Sequence, residues 1–434
     1  MVPTPRLMWL MLGGLLVAAL PVAVDEGLWP LSPGLWAALG LLGVADWIVL
    51  ARCRPRLLAD VPATVGVGSP LEVRAELTVR TPRALRGTLR AEVCEPLEAS
   101  PDLPLSAANG ATEHRLPVDA PRRGGGEVRA LWLRLDGPFG LLRRIDRTLV
   151  RAPVAVVPNA ALVRQLALAY FGTQRFGGVH VQRKVGDGGE FDTLEAYEPG
   201  MDLRTVDWKA SARHQVLRVR RFRVEQNQRV VLCVDTGRLM ADPLAGLQRL
   251  DHAIHASLLL SRVALKAGDR VGIQAYAEAP KTWVPPGGGM RQMARIRRSL
   301  AELRAEPTET NHVRGIHQVL RKLRRRSLVV VFTEFTDATT AELMVEYLGH
   351  LARRHLVIFV ALDDPALEER VEAAPASAFD LAAAVVAGGL IQDRERVLRR
   401  LRRMGVDVVH GPPGPAALKT LARYVHIKRR GLIG

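Results

Sequence analysis

The chain opens with two long apolar runs. Leu7 to Val24 reads LMWLMLGGLLVAALPVAV without a charged residue, and Leu31 to Ala51 is a second run broken only by Asp46. At 1.5 Å of rise per residue such segments approach the ~30 Å hydrocarbon core of a bilayer. The short stretch between them holds Asp25, Glu26, Gly27 and Pro30, room for a turn and nothing larger, so the pattern predicts two N-terminal transmembrane helices paired as a hairpin over 7–24 and 31–51. Beyond about residue 57 the period drops to two. Leu71–Val79 (LEVRAELTV) and Val128–Leu135 (VRALWLRL) alternate apolar with polar positions, as strands with one buried face do, and Pro and Gly clusters separate them. This predicts an all-β sandwich-like domain over 57–165. Within it Arg122–Gly126 (RRGGG) reads as a turn, because the strand, helix and Lys-Ser/Thr ending of a phosphate loop are absent, and Asp136–Gly140 (DGPFG) reads as a turn closing a hairpin.

A connector, 166–229, with a glycine-rich charged stretch at Gly186–Glu190, leads into a third pattern. Val230–Val234 (VVLCV) is a continuous apolar run ending at Asp235, as expected of a strand buried on both faces. Val271–Tyr276, Leu328–Phe332, Leu356–Leu362 and Val406–Val409 repeat it. Between most of them lie helical patterns, such as Leu247, Leu250, Ile254, Leu258 and Leu265 at the spacing of one buried face. Strands alternating with helices predict an α/β doubly wound domain over 230–434, whose ligands bind beyond the carboxyl ends of the strands. Asp235, Thr333 and Glu334 fall there.

Charge adds an orientation. Arg6 precedes the first apolar run and Arg52, Arg54 and Arg56 follow the second, with no Lys or Arg between. The positive-inside rule then places both flanks on the cytoplasmic side, which predicts a multi-pass membrane protein with soluble domains in the cytoplasm. Asp46, near the basic end of its span, reads as a carboxylate reaching the headgroup region. The formal charge is +17, a bias towards anionic partners. Basic runs at Arg321–Arg326, Arg399–Arg403 and Lys428–Arg430 read as solvated helix ends. If they act, anionic lipid is the nearest partner; nucleic acid ranks lower, since aromatic-studded strands and a recognition-helix unit are missing. The three cysteines, Cys53, Cys94 and Cys233, have neither disulfide-framework nor metal spacing.

The stretch YEPGMDLRTVDWKASAR, Tyr197–Arg213, followed by VRRFRVE and VVLCVDTGRLM, resembles the signature of the bacterial family called domain of unknown function fifty-eight. RRGGGEVRALWLRLDGPFGLLRR upstream is similar to the turn-rich stretch before that signature. The resemblance implies a von Willebrand factor type A-like domain, two amino-terminal spans, and a partner of the MoxR type of AAA+ ATPase in the assembly or maturation of other proteins. An A domain takes Mg²⁺ through D-x-S-x-S, a later Thr and a later Asp, oxygens being what this cation needs. Here the motif reads Asp235-Thr236-Gly237-Arg238-Leu239, the Thr is Thr308 or Thr310, and Glu334 stands for the Asp with Asp337 in reserve. That leaves a degenerate metal site with no cofactor, a Mg²⁺ site completed by these residues, or an Arg238 that binds a partner carboxylate.

Other candidate chemistry is sparse. The signature places Asp202, Arg204, Asp207, Lys209 and Arg213 close in sequence. Pro199 and Gly200 stand at the centre of a type II turn, and Trp208 reads as a packing anchor. Tyr197 to Arg213 reads as a structural or partner-binding clasp. His252 and His255 lack the rest of a zinc motif and read as surface or packing residues, and Gly287–Gly289 reads as a flexible loop. The function expected is a membrane-anchored interaction or adaptor protein rather than an enzyme, the alternatives being a hydrolase using the Asp202–Lys209 cluster or a basic module binding anionic lipid or nucleic acid.

Overall fold

In the computed structural model, which describes residues 1–24, 31–81, 83–173, 185–199, 201–223, 228–336 and 341–432, the chain forms two units, Met1–Asn159 and Ala160–Gly434. The first begins with β1 (Val2–Pro3), α1 (Pro5–Val24) and α2 (Leu31–Arg52). Strands follow: β2 (Arg56–Asp60), β3 (Thr64–Gly66), β4 (Leu71–Val79), β5 (Leu85–Val93), β6 (Glu98–Ala99), β7 (Leu103–Ala107), β8 (Gly110–Asp119), β9 (Gly124–Asp136) and β10 (Leu142–Val157). The alternation in β4 is literal: Leu71, Val73, Ala75, Leu77 and Val79 are buried and the residues between them are not, because successive strand side chains leave on opposite faces. One sheet runs β1-β10-β9-β5-β7 and the other β2-β4-β8-β6; β3 joins β10 in parallel, so the first sheet is mixed.

The two N-terminal transmembrane helices expected from hydropathy are overturned. Helices form at those places, but among the described residues no helix is long and apolar enough to cross a membrane. Hydropathy counts every apolar residue as available to lipid, whereas the last turns of α2 are committed to protein. Asp46, Leu50 and Cys53 are buried. The Asp46 carboxylate accepts from the backbone N–H of Phe139 (2.8 Å), Leu141 (2.7 Å) and Leu142 (3.1 Å), and Arg144 Nη1 donates to the carbonyls of Leu50 and Cys53. The apolar stretch left before Asp46 is about 22 Å long, short of the ~30 Å hydrocarbon core. Thr4, at the foot of α1, is likewise bonded to Gly140 and Leu141. Asp46 is therefore the acceptor that organises the DGPFG turn, not a headgroup-seeking acid.

The second unit contains α3 (Ala160–Thr173), β11 (Val185–Ala196), α4 (Trp208–His214), β12 (Arg218–Arg223), β13 (Arg229–Asp235), β14 (Pro243–Leu244), β15 (Leu247–Gln248), α5 (Arg249–Lys266), β16 (Arg270–Tyr276), β17 (Pro280–Gly287), α6 (Gly289–Glu302) and α7 (His312–Lys322). It continues with β18 (Leu328–Phe332), α8 (Ala341–Ala352), β19 (Leu356–Leu362), α9 (Pro365–Glu372), α10 (Ala378–Arg403), β20 (Asp407–Gly411) and α11 (Pro413–Arg430). The main sheet runs β17-β16-β13-β18-β19-β20. It is mixed: the strands from β16 to β20 in that order are parallel, and β17 pairs antiparallel at the edge. Side chains of α3, α5, α6 and α11 cover one face, and those of α7, α8 and α10 the other. This two-sided cover is why β13 and β18 read as unbroken apolar runs. The chain leaves β13 for β16 on one side and returns to β18 on the other, so strand order reverses at β13.

One basic end differs from the expectation of a solvated helix terminus. Lys428 Nζ lies 2.6 Å from the carboxylate of buried Asp269 and also donates to the Ala267 carbonyl, tying α11 to the turn before β16. Tyr424 donates its hydroxyl to the same carboxylate.

Candidate functional site

Asp235 ends β13 at the point of strand reversal, where an open α/β sheet leaves a crevice between neighbouring loops. Its carboxylate is buried and fully engaged. Oδ1 accepts from the Gly237 N–H (2.8 Å) and from Thr310 Oγ1 (2.6 Å), and Oδ2 accepts from Thr333 Oγ1. Two segments distant in sequence, and the turn directly after β13, are thus fastened to one side chain. Thr236 adds backbone bonds to Tyr276 and Glu306, and the Arg238 N–H donates to the Thr308 carbonyl. Beside this cluster the Tyr276 hydroxyl is buried, and burial first, then the Asp235 charge, push it well above its ordinary pKa. His312 is pulled below its ordinary value by burial, with Asp235 acting in the opposite sense.

These residues do not fit a Mg²⁺ ion. Both hydroxyls of the D-x-S-x-S pattern are missing, and the first cannot be restored locally: a Cβ on Gly237 would lie 1.9 Å from Thr310 Oγ1. Thr310 occupies the space where a serine side chain would stand. The Thr308 hydroxyl has no hydrogen-bond partner, but it is a single neutral donor atom beside a carboxylate already bound by three donors. Glu334 is turned elsewhere. Its carboxylate accepts from Arg249 Nη1 (2.7 Å), from Arg394 Nη1 and from the Phe335 N–H. Asp337 lies outside the described residues. Among the described residues no group of three or more His, Cys, Asp or Glu side chains is placed to hold a metal.

Glu334 belongs to a charged cluster that sequence reasoning missed. Arg249 and Arg394 each also donate to the Leu362 carbonyl at the end of β19. Arg394 pairs with Asp363 (3.3 Å), and His410 Nδ1 lies 3.0 Å from the other oxygen of Asp363. Burial works against the Arg394 charge, but the Glu334 and Asp363 carboxylates outweigh it, and its pKa is raised. The acids Asp363 and Asp364 directly after the apolar run Leu356–Leu362 were a usable signal, since they sit at a strand's carboxyl end. Nothing in the sequence marked the arginines, which come from the starts or middles of distant helices.

The signature segment is organised by its own acids. Asp202 accepts from the Arg204 N–H at the start of a short 3₁₀ turn, and Asp207 caps α4 by accepting from the Ala210 N–H (3.0 Å). Arg220 donates to the other Asp207 oxygen. The Ala210 bond foremost, with the Arg220 charge, holds the Asp207 carboxyl below the usual range, so it is a poor proton donor at neutral pH. Ser211 links α4 to β12 through the Arg218 N–H, and the Met201 N–H to Glu198 carbonyl bond closes the turn around Pro199. Gly200 lies outside the described residues. Trp208 is no packing anchor: it is 68% exposed, with Leu203, Val216 and Leu217 exposed on the same segment. Tyr197 is half-buried, while Arg204, Lys209 and Arg213 are exposed. Arg238 is exposed too, and its guanidinium pairs with Glu309 (2.8 Å). His252 is tied to the Leu244 carbonyl, and burial lowers its pKa.

Fold and site together define a doubly wound α/β domain with a hydroxyl-locked carboxylate at its switch point and a capped, outward-facing segment ahead of it. Residues 194–373 match the model of the family described as "Protein of unknown function DUF58". Similar relatives are uncharacterized proteins of Mycobacterium bovis and Mycobacterium tuberculosis, each 25% identical over 296 residues and matched over 63% of this chain and 91% of theirs. Among solved structures, the conserved hypothetical protein BatB from Bacteroides thetaiotaomicron is 16% identical over 47% of this chain and 99% of its own, with a TM-score of 0.33. An uncharacterized membrane spanning protein from Vibrio fischeri is 15% identical over 46% of this chain and 98% of its own, with a TM-score of 0.18. At these scores the structural likenesses carry no argument.

Proposed function

We propose that this protein is an interaction protein, an adaptor that docks a partner on its signature segment and works without a metal at Asp235. The observation that carries this reading is the outward set of Leu203, Trp208, Val216 and Leu217, interleaved with exposed Arg204, Lys209 and Arg213. The backbone beneath is fixed by two aspartate caps and Ser211, so the apolar groups are held out by structure and not left over from a loose loop. Trp and Arg are the side chains that most often dominate interfaces. The hydrolase alternative asks the same aspartates for acid or base work, but both bond to backbone N–H groups and Asp207 to Arg220 as well.

The partner proposed is an AAA+ ATPase of MoxR type, which the family resemblance implies, in the assembly or maturation of other proteins. Arg238 is a weaker contact than its position suggested, since Glu309 already pairs with its guanidinium. The test is capture of the purified chain on an immobilised MoxR-type ATPase from the same genome, with and without ATP. Trp208→Ala is expected to weaken binding by about 2 kcal/mol or more, roughly thirtyfold, with unchanged melting because the ring is exposed. Arg324→Glu, exposed just past the end of α7, is expected to bind as the parent does. A parent that is not captured in either nucleotide condition refutes the partner, and a Trp208→Ala variant that binds like the parent refutes the surface.

A further inference from the structure

A second apolar surface lies on the α9–α10 hairpin, away from the signature segment in sequence and independent of its proposed role. The C-terminal half of α10 packs on the sheet through Val397, Leu398 and Leu401. The N-terminal half does not. Phe379 is 78% exposed, and Leu381, Val385, Val386 and Leu390, with Val371 on α9, are exposed too. This half is nonetheless a well-started helix. Ser377 caps it, accepting from the Asp380 N–H and donating to the Asp380 carboxylate. Six large apolar side chains of this kind present on the order of 600 Å² to water, the upper end of what a monomer leaves uncovered.

Charge selects what covers it. The α9 side of the hairpin carries Glu368, Glu369 and Glu372 against Arg370, and Asp380 opens α10; the far half of α10 carries exposed Arg396, Arg399, Arg400, Arg402 and Arg403. An acidic tip is repelled by an anionic bilayer surface, where basic residues are the ones that gain. A second α10 laid antiparallel sets each acidic end towards the other's basic half, whereas a parallel one would align like charges. We propose that this face pairs with the same face of a second copy of the chain, through antiparallel α10 helices related by a twofold axis near Val385 and Val386. Such a contact is isologous, each patch meeting itself. Two patches bury at most roughly 1,200 Å², the lower limit of a standard specific interface, so the dimer is weak and concentration-dependent.

The test is sedimentation of the purified full chain from about 1 to about 100 μM, a range that brackets a micromolar equilibrium. The parent is expected to pass from one copy to two, and Val385→Asp with Val386→Asp to associate at least thirtyfold more weakly with unchanged helix content. Register is read by mixing Ala382→Cys chains with Gly389→Cys chains under a mild oxidant, two exposed positions level about the axis and on the same side of the helix. Antiparallel pairing gives a 382-to-389 disulfide, identified by peptide mass, and Arg324→Cys gives none. A parent that stays single throughout, a doubly substituted chain that dimerises like the parent, or parent chains that sediment with anionic vesicles instead of with each other overturns the proposal. So does a 382-to-382 disulfide in place of the mixed one.

Discussion

Putting serine back at position 237 restores the first hydroxyl of the D-x-S-x-S pattern, and the structure predicts that it damages the domain. The added Cβ would meet Thr310 Oγ1 at 1.9 Å and the Thr308 carbonyl at 3.2 Å. Thr310 must swing away and give up its 2.6 Å bond to Asp235. A hydrogen bond to a charged group is worth about 1.5–3 kcal/mol, and overfilling a packed site costs about 1–3 kcal/mol more. The expected loss is thus about 3–5 kcal/mol, or about 10 °C in melting temperature for a unit of this size. Thr310→Ala alone should cost only the hydrogen-bond part. Adding Gly237→Ser to it should cost little further, because the obstructing oxygen is gone and the serine hydroxyl can take its place on Asp235. The coupling between the two changes should then be about 3–5 kcal/mol, nearly the whole cost of Gly237→Ser alone, in thermal or denaturant unfolding. Strict additivity, or a Gly237→Ser chain that melts like the parent, would refute the account of the lock. The same melts run with Mg²⁺ and with chelator should coincide for the parent; a metal at a hundredfold its Kd would add ~2.7 kcal/mol, and a shift of that size lost in Asp235→Ala would show that the donors do assemble a metal site.

Asp46→Ala removes the acceptor of three backbone N–H groups and should destabilise the Met1–Asn159 unit by about 3 kcal/mol or more, seen as faster hydrogen exchange at Leu141 and Leu142; unchanged exchange there would refute the role given to Asp46. His355 is buried, and desolvation, helped by Arg354 and Arg326, lowers its pKa. The unfolded chain therefore binds the extra proton first, so stability is present above ~6.5 and is lost as pH falls through the lower folded value. Melting between pH 8 and pH 5 should flatten in His355→Phe, and an equal acid slope in both chains would count against it.

The sequence by itself determined the local elements. Alternation gave β4, the apolar runs gave β13, β16, β18 and β19 within a residue of their observed ends, and the end of β13 pointed to Asp235. The family that the signature stretch resembles is the one whose model matches residues 194–373. What it misjudged were side chains whose neighbours come from far along the chain. Leu31–Ala51 reads as a span because hydropathy is a local sum, yet Asp46 belongs to a turn more than ninety residues on. Glu334 stands where a metal ligand was expected, and the fold supplies guanidinium groups from 85 residues before it and 60 after it. Gly237 looks like a missing ligand until Thr310 is seen in its space, and Trp208 looks like a core residue until the two aspartate caps turn it outward. Periodicity fixes which face of an element is apolar. Which donors meet a given carboxylate depends on how the elements are brought together, and only the tertiary structure decided that.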